Sequence, residues 1–384
     1  MRLRHVWAGL SGFVFLGVCL AYGQGGPIVV EGKPDSSTGQ LLIPVRLDEA
    51  RVWCSLDSGF SAIIAVDRGR AAQAGLTAAQ GTPTAGDTPA KAILNVGGVS
   101  LGERSISIRR LAAEAPEMEC IMGVAVLRRF AVEMDFATAR VRLHERDAYR
   151  APATAEAVPL IFRTNLNVAF VQIALTFADG TRRMAQVVPD TGTSYYAGVL
   201  VSPFLTSVLP QIRTASPAQR PDSSRPDLRF KAGRLVAISV GSFTMPEPVI
   251  ALIETGLDGG VIDDGTLGTG FFRRFTVTFD FDGRVMYLQP NQPFPERQSF
   301  DASGVGFRRV ADGYKVDVVL PDSPASRAGL SEGDELLDVD SRASQTFTTI
   351  QLRDYLSRPG ETSVLRVRRN GMELRLTLKQ EKRL

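Results

Sequence analysis

Two related segments follow one another in this sequence, and this duplication constrains the fold more than any other feature. The first copy runs from about Ile28 to Arg146 and contains Asp57-Ser58-Gly59. The second copy runs from about Val158 to Pro290 and contains Asp190-Thr191-Gly192. The repetition predicts two similar folding units, each with a turn that carries one aspartate.

The ends of the two copies also correspond. Each closes with a glycine, an Arg-Arg-Phe segment and a final strand pattern, and the closing glycines Gly123 and Gly268 are 145 residues apart. Asp57 and Asp190 are only 133 residues apart, so the second copy holds 12 additional residues between its aspartate and its closing glycine. The Pro-, Ser- and Arg-rich stretch 203–227 is the expected place, because surface loops tolerate insertions.

Both copies have the pattern of β-rich domains. Short apolar stretches alternate with polar residues and are broken by Gly, Asp and Pro, which predicts strands. Helical periodicity is confined to short segments such as 66–74. Clusters of turn-forming residues predict linkers at 151–159 and 290–295.

A pair of carboxylates suits hydrolysis without a metal or a covalent nucleophile. Two carboxyl groups a few ångströms apart share one proton, because they cannot both ionise comfortably. The ionised group accepts a proton from water, and the protonated group donates to the carbonyl oxygen of the scissile bond. The repeated aspartates Asp135 and Asp280 lack a following glycine turn, and we interpret them as strand or turn residues.

Histidine is too scarce for several other chemistries. The chain has two histidines, His5 and His144, and only His144 lies beyond the N-terminal segment. A zinc site of the His-Glu-x-x-His kind is therefore excluded. A serine hydrolase built around His144 stays a weaker alternative, and a surface residue at the end of a strand is the simpler interpretation.

The two Asp-Ser/Thr-Gly elements resemble the active-site signatures of the aspartic peptidases. Each copy is similar to a bacterial retropepsin-like domain, and the resemblance covers nearly all of residues 28–290. It implies two pseudo-symmetric β-barrel lobes with Asp57 and Asp190 as the catalytic pair where the lobes meet. It also implies active-site loop support from a further set of residues: Ser58, Gly59, Thr191, Gly192 and Ser194.

Three positions differ from the pattern of that family. Phe60 occupies a position where a small residue is usual, Pro189 precedes the second aspartate in place of an aliphatic residue, and Thr266 replaces an aliphatic residue before the second closing glycine. The alternative to an active peptidase is a catalytically inert scaffold of the same fold, in which both aspartates serve only as turn residues.

A different module follows residue 300 and resembles a bacterial PDZ domain. It contains Asp322-Ser-Pro-Ala, Ala328-Gly-Leu and Gly333-Asp-Glu-Leu, with a predicted groove helix over 348–356 and a hairpin across Asn370-Gly371. The resemblance implies that an extended peptide adds as a strand, with its carboxylate near main-chain amides of Gly304, Val305, Gly306 and Phe307. The other interpretation is a packing or regulatory module that binds no free peptide.

The N-terminus has the pattern of an export signal. Arg2 and Arg4 precede an uncharged apolar stretch, 6–20, and small residues at positions 21 and 23 predict cleavage before Gln24. An uncleaved anchor and a lipidated Cys19 are the alternatives. Cys54 and Cys120 would then lie in an oxidising compartment, where a disulfide is allowed, although spacing alone does not distinguish it from two buried thiols.

Charge and composition limit the partners. The formal net charge is +3, and removal of Arg2 and Arg4 leaves +1, so nothing electrostatic favours nucleic acid or an anionic membrane as a partner. The predicted organisation is a signal peptide at 1–23, peptidase lobes at 28–148 and 152–292, and a PDZ domain at 300–384. The sequence thus predicts a periplasmic or extracellular aspartic endopeptidase that needs no cofactor or metal, with an inert, PDZ-bearing peptide-binding protein as the alternative.

Overall fold

The structure is a computed structural model, and the residues it describes are 26–35, 38–76, 88–111, 117–163, 166–193, 195–215, 229–255, 263–291, 294 and 297–384. The predicted signal peptide, Ser194 and residues 216–227 of the predicted insertion lie outside these ranges. Within them, every helix is too short or too polar to cross a membrane.

The first copy consists of strands with two short helices and a 3₁₀ turn at Arg146–Ala148. Its elements are β1 (Ile28–Glu31), β2 (Lys33–Pro34), β3 (Leu41–Leu47), β4 (Ala50–Leu56), β5 (Ile64–Asp67), α1 (Arg68–Gln73), β6 (Thr88–Val96), β7 (Val99–Arg109), β8 (Cys120–Met122), α2 (Val124–Leu127), β9 (Ala131–Asp135) and β10 (Arg140–His144).

The second copy repeats this order with an additional hairpin and a 3₁₀ turn at Leu209–Gln211. Its elements are β11 (Glu156–Pro159), β12 (Ile161–Phe162), β13 (Ala169–Thr176), β14 (Arg182–Pro189), β15 (Gly198–Val201), α3 (Phe204–Val208), β16 (Arg213–Ala215), β17 (Arg229–Arg234), β18 (Ala237–Val240), β19 (Phe243–Pro246), β20 (Val249–Thr255), β21 (Gly265–Leu267), α4 (Thr269–Phe272), β22 (Phe275–Asp280) and β23 (Val285–Pro290).

The C-terminal module is an α+β unit with a 3₁₀ turn at Ser344–Thr346. It comprises β24 (Val305–Val310), β25 (Gly313–Val319), α5 (Pro324–Arg327), β26 (Glu335–Val339), β27 (Arg342–Ala343), α6 (Thr349–Tyr355), β28 (Thr362–Arg369) and β29 (Met372–Lys379). Two local predictions are confirmed, the helix within 348–356 and the hairpin across Asn370-Gly371. Thr348 and Gln351 form a capping box at the start of α6, and Asn370 and Gly371 both have positive φ in the turn between β28 and β29.

Each copy forms a curved, barrel-like sheet. In the first, the strand order is β2-β3-β4-β8-β5-β7-β6, and β3 also pairs with β6, which brings the sheet back on itself. In the second, the order is β16-β17-β20-β15-β21-β14-β13-β18-β19. In both sheets the strand that leads to the aspartate runs parallel to the closing strand, β4 beside β8 and β14 beside β21.

Strands of both copies meet in a third sheet, with the order β1-β10-β9-β22-β23-β11. Its centre is the antiparallel pair β9 and β22, in which Glu133 lies opposite Thr278. These two positions are related by the same 145-residue offset as the closing glycines, so the approximate two-fold axis of the duplication passes between them. The shared sheet fixes how one copy is oriented against the other.

One apolar core runs through both copies, and the C-terminal module has its own, built around residues such as Tyr314, Leu336 and Leu365. The predicted fold class, mostly β with two barrel-like lobes and a C-terminal α+β module, is confirmed. The large β-branched and aromatic content of the buried strands accounts for it, because such side chains pack well on pleated surfaces.

Two local predictions were wrong. The segment 151–159 is not wholly a linker, because Glu156–Pro159 forms β11 and covers the edge of β23 in the shared sheet. The segment 66–74 is helical only from Arg68 to Gln73. Its first residues belong to β5, and Asp67 ends the strand by accepting hydrogen bonds from the backbone nitrogens of Gly69 and Arg70 at the start of α1.

Candidate active site

The two signature aspartates emerge from equivalent strands. β4 ends at Leu56 and β14 ends at Pro189, each directly before its aspartate. The backbone nitrogen of Asp57 donates to the carbonyl oxygen of Met122 at 2.9 Å, and that of Asp190 donates to Leu267 at 2.8 Å. The closing strand therefore fixes the base of each loop in the same way in both copies.

The structure brings Asp57 and Asp190 together where the copies meet. A methyl group on Gly192 would overlap with the carboxyl group of Asp57, and one on Gly59 would lie 2.7 Å from Cγ of Asp190. Each glycine thus leaves the space that the carboxyl group of the other copy occupies, and a side chain at either position would separate the pair. This close approach explains the glycine that follows each Asp-Ser/Thr element.

The two carboxyl groups lie in contact, and hydrogen bonding between them acts to raise the pKa of Asp57 and to lower that of Asp190. Burial, followed by the negative charge of Asp190, raises the pKa of Asp57 well above its ordinary value. Burial also raises the pKa of Asp190, but hydrogen bonds from Thr193, Gly192 and Asp57 act in the opposite direction. These directions favour the proton on Asp57 and the ionised form on Asp190.

The two aspartate carboxyl groups share one kind of hydrogen-bond donor and differ in a second. Gly59 donates its backbone N–H to Oδ1 of Asp57, and Gly192 donates to Oδ1 of Asp190, both at 2.8 Å. Thr193 adds a hydroxyl donor to Oδ2 of Asp190 at 2.5 Å. The equivalent residue in the first copy is Phe60, whose ring faces the guanidinium group of Arg109 instead.

Ser58 and Thr191 hold the two loops to each other. Their side chains are 0% and 1% exposed, and the two hydroxyl oxygens are 3.2 Å apart. Ser58 donates its hydroxyl to the carbonyl oxygen of Pro189, and Thr191 donates its own to Leu56, both at 2.6 Å. Each hydroxyl reaches the strand end of the other copy, so the loops cannot separate without exposing four buried polar groups.

The remaining predicted residues lie in the expected places, with one outside the described ranges. Gly59 and Gly192 line the space between the carboxyl groups, whereas Ser194 is not described. Pro189 is the last residue of β14, and its carbonyl oxygen accepts the Ser58 hydroxyl. The repeated Asp135 and Asp280 accept backbone hydrogen bonds in turns after β9 and β22, as interpreted from the sequence.

Sequence reasoning missed several side chains around the pair. Gln40, 7% exposed, donates its amide to the carbonyl oxygen of Gly192, and Thr269 donates its hydroxyl to that of Thr191 at 3.0 Å. Thr193 had a usable signal, since a hydroxyl residue three positions after an aspartate in a turn can bond back to it. Gln40 had none, because its partner lies 152 residues away.

His144 is not part of this site. It is the last residue of β10 in the shared sheet, where Nε2 lies 3.0 Å from Oε2 of Glu133 and the ring packs against Tyr149. The described contacts of His144 include no serine hydroxyl, which leaves the serine hydrolase alternative without support. In the described part of the chain, no group of three or more His, Cys, Asp and Glu side chains is arranged to hold a metal ion.

A disulfide joins Cys54 and Cys120, which is one of the two alternatives that the sequence left open. The two residues are directly paired on the parallel strands β4 and β8, and both are completely buried. The bond therefore ties the strand that leads to Asp57 to the strand that crosses beneath its loop.

The predicted peptide-binding segment of the C-terminal module lies on a sheet edge. β24 is an outer strand of its sheet, and α6 packs beside it. Gly304 turns the chain into β24 with φ of 76°, and its backbone nitrogen is bound by the carboxylate of Asp301. Val305, Gly306 and Phe307 continue as the edge strand, to which an extended peptide can add by main-chain hydrogen bonds.

Comparisons with known proteins agree with this description of the C-terminal module. Residues 303–379 match the model of the PDZ domain family. A search of curated protein sequences gave no match to the chain. Among solved structures, an aminopeptidase N family protein from Idiomarina loihiensis is similar at 25% identity over 23% of this chain and 15% of its own length, with a TM-score of 0.21.

The PDZ match and the edge-strand geometry together define the C-terminal module as a PDZ domain. The aminopeptidase similarity is too limited in coverage and in superposition to carry an argument about function. The chain is therefore a two-lobed β protein with a C-terminal PDZ domain.

Proposed function

We propose that this chain is an exported aspartic endopeptidase in which Asp57 and Asp190 hydrolyse peptide bonds through a shared proton. The observation that carries this proposal is the contact of two partly buried carboxyl groups, one from each copy of a duplicated fold, each of which occupies the space left by a glycine of the other copy. Two carboxyl groups placed together in this way are costly for folding, because each pKa is raised by burial. Acid–base chemistry is the function that such a pair supports best.

The opposite effects of hydrogen bonding on the pKa values of Asp57 and Asp190 support the following roles. Asp190 is ionised and takes a proton from water, whose oxygen attacks the carbonyl carbon of the scissile bond, while protonated Asp57 gives its proton to the carbonyl oxygen. The result is a neutral gem-diol. Asp190 then returns its proton to the amide nitrogen, Asp57 recovers one from a gem-diol hydroxyl, and the C–N bond breaks. The pair ends in its starting protonation state.

The PDZ domain contacts the lobes beside this site, which supports a role in substrate delivery or access. The guanidinium carbon of Arg353, on α6, lies 3.8 Å from the ring centroid of Tyr195. On the same helix, Cδ1 of Ile350 lies 3.2 Å from the position that a Cβ of Gly39 would take. Tyr195 follows the Asp190 loop, and Gly39 precedes the glutamine that binds Gly192, so one helix reaches both lobes.

Export is supported by the N-terminal sequence pattern and by the buried disulfide. A basic start, an uncharged apolar stretch and small residues before Gln24 are typical of a cleaved signal. A disulfide between Cys54 and Cys120 persists in an oxidising compartment such as the periplasm or the extracellular medium.

Digestion of a peptide library by the full chain, from acid to neutral pH, tests the proposal. Asp57→Asn and Asp190→Asn should each abolish cleavage, and an inhibitor that imitates the gem-diol should block the wild type. Asp135→Asn and Asp280→Asn are matched controls, because these aspartates are also repeated but bind turns outside the site, and both variants should cleave normally. A wild type that cleaves nothing from acid to neutral pH, or unchanged cleavage in both Asp57→Asn and Asp190→Asn, would favour the inert peptide-binding scaffold.

A further inference from the structure

The second lobe has two hydroxyl groups at positions where the first lobe is apolar. Thr193 corresponds to Phe60, three residues after the respective aspartate, and Thr266 corresponds to Ile121, two residues before the closing glycine. Thr266 is 6% exposed and lies on β21, the strand beneath the Asp190 loop. Both differences fall around Asp190, and both add a hydrogen-bond donor.

The two hydroxyl groups form a chain that ends on the carboxylate. Oγ1 of Thr193 donates to Oδ2 of Asp190 at 2.5 Å, and Oγ1 of Thr266 lies 3.3 Å from Oγ1 of Thr193. A hydroxyl group has a single hydrogen, and that of Thr193 is directed to Asp190. Thr266 must therefore be the donor between the two threonines.

Packing holds Thr193 in the orientation that this chain requires. Its methyl carbon Cγ2 lies 3.0 Å from the position that a Cβ of Gly268 would occupy, so the methyl group fills the space left by that glycine. Its backbone oxygen accepts a hydrogen bond from Thr269, and its backbone nitrogen donates to Oδ1 of Asp190. These contacts hold the backbone and the methyl group of Thr193, whereas the contact with Thr266 fixes its hydroxyl group.

We propose that Thr266 is a positioning residue that orients and polarises the Thr193 hydroxyl, so that Asp190 stays ionised and the shared proton stays on Asp57. This inference rests on the proposed peptidase function. A donor that itself accepts a hydrogen bond becomes a stronger donor, which favours the charged form of the carboxylate that it binds. The first lobe, with Phe60 and Ile121, offers Asp57 no such chain.

Few charged groups compete with this effect. Across the interface, Asp57 is the titratable group that bonds with Asp190. The end of β14 (Val187–Pro189), β21 and α4 carry no charged side chain, and the nearby Asp264 precedes β21 and accepts a backbone hydrogen bond from Gln186. Arg109 lies behind the ring of Phe60, on the side of the first lobe.

The test compares Thr266→Val, which keeps the shape but loses the hydroxyl, with Thr266→Ser, which keeps the hydroxyl. Titration of the carboxyl groups by NMR of protein labelled with ¹³C at aspartate Cγ gives a readout that does not need catalysis. The lower of the two titration steps of the pair should rise by about 0.5–1 pH unit in Thr266→Val and stay unchanged in Thr266→Ser. The acid limb of kcat/KM should move by the same amount.

Thr278→Val is the matched control, because Thr278 is also a buried threonine, and its hydroxyl binds Tyr149 on the far side of the shared sheet. If the valine variant does not fold, Thr266→Ala gives the same readout. A lower titration step that moves in none of the Thr266 variants, or that moves equally in Thr266→Ser or Thr278→Val, would overturn the inference. A wild type without peptidase activity would instead refute the proposed function, and the NMR titration would still decide the role of Thr266.

Discussion

Ser58 and Thr191 each accept a hydrogen bond from the backbone nitrogen of the other, at 3.1 Å to Oγ1 of Thr191 and 3.0 Å to Oγ of Ser58. The two residues occupy the same position in the two copies, one after each aspartate. Their contact is therefore reciprocal. The distance between the two carboxyl groups thus depends on the buried, uncharged side chains of Ser58 and Thr191.

Thr191→Val should weaken this contact without changing the shape of the side chain. The backbone nitrogen of Ser58 would lose its acceptor and the carbonyl oxygen of Leu56 its donor, both in a buried site. The free energy of unfolding, measured with urea, should fall by about 1–3 kcal/mol, because the two groups stay buried without a hydrogen-bond partner and without water. Peptide cleavage should fall with it. If the free energy of unfolding falls no more in Thr191→Val than in Thr278→Val, this role is contradicted.

Removal of the disulfide should destabilise the first lobe. Cys54 and Cys120 are separated by 66 residues, and closing a loop of that size in the unfolded chain stabilises the fold by about 2–4 kcal/mol. The double variant Cys54→Ala with Cys120→Ala should therefore unfold at a lower urea concentration than the wild type. Wild type treated with a reductant under unfolding conditions should give a similar midpoint. Equal midpoints for oxidised and reduced protein would show that the bond contributes nothing to stability.

The sequence was sufficient for the parts of this molecule that are repeated or local. The duplication, together with the resemblance of its two Asp-Ser/Thr-Gly elements to aspartic peptidase signatures, predicted that Asp57 and Asp190 belong together, and the turn at Asn370-Gly371 follows from local backbone preferences. In both cases the information lies within a few residues or within a comparison of two segments. Such features can be recognised in the sequence without any knowledge of the tertiary packing.

The remaining contacts depend on the register in which strands pair and on how the PDZ domain packs against the lobes, and a sequence pattern specifies neither. Cys54 meets Cys120 because β4 and β8 pair in one particular register, and spacing left a disulfide and two thiols equally possible. The sequence predicts a linker over 151–159 because β23, the strand with which β11 pairs, is more than a hundred residues away. The contact of Arg353 with Tyr195 joins two units that have separate apolar cores, and nothing in the sequence near either residue indicates it.

The stability of the protein should fall as pH rises above the ordinary range for aspartate, and Asp57 should be one cause. Burial and the charge of Asp190 raise the pKa of Asp57, so the folded state keeps a proton that the unfolded chain releases near pH 4. Above that pH the folded state binds more protons, and each pH unit costs about 1.4 kcal/mol until the folded-state pKa is passed. Asp57→Asn should remove this slope when urea unfolding is measured at a series of pH values.

Asp179 provides the comparison, because its effect on the pH dependence of stability has the opposite sign. Hydrogen bonds from the hydroxyl and backbone of Thr181 lower the pKa of Asp179, so its contribution is present above the unfolded-state pKa and is lost as pH falls. Asp179→Asn should therefore reduce stability at neutral pH and have little effect in acid. If Asp57→Asn keeps the same pH dependence as the wild type above pH 4, the carboxyl pair does not hold its proton in the folded state.

The contact between the PDZ domain and the second lobe should be sensitive to Arg353. Its guanidinium group covers the ring of Tyr195, a residue with positive φ whose hydroxyl donates to the carbonyl oxygen of Ser299. A cation–π contact of this kind contributes about 0.5–2 kcal/mol. Arg353→Ala should therefore open the contact about 2- to 30-fold more often. Because Tyr195 continues from the Asp190 loop, this opening should reach the candidate active site.

Hydrogen exchange of the backbone amides in residues 195–201 measures that opening directly. The rate should rise in Arg353→Ala and stay at the wild-type value in Arg358→Ala, since Arg358 packs on Tyr355 within the PDZ domain itself. Cleavage of the peptide library should change in the first variant and not in the second. The regulatory role depends on both results, because faster exchange with unchanged cleavage would mean that the PDZ domain docks on the second lobe without influencing the carboxyl pair.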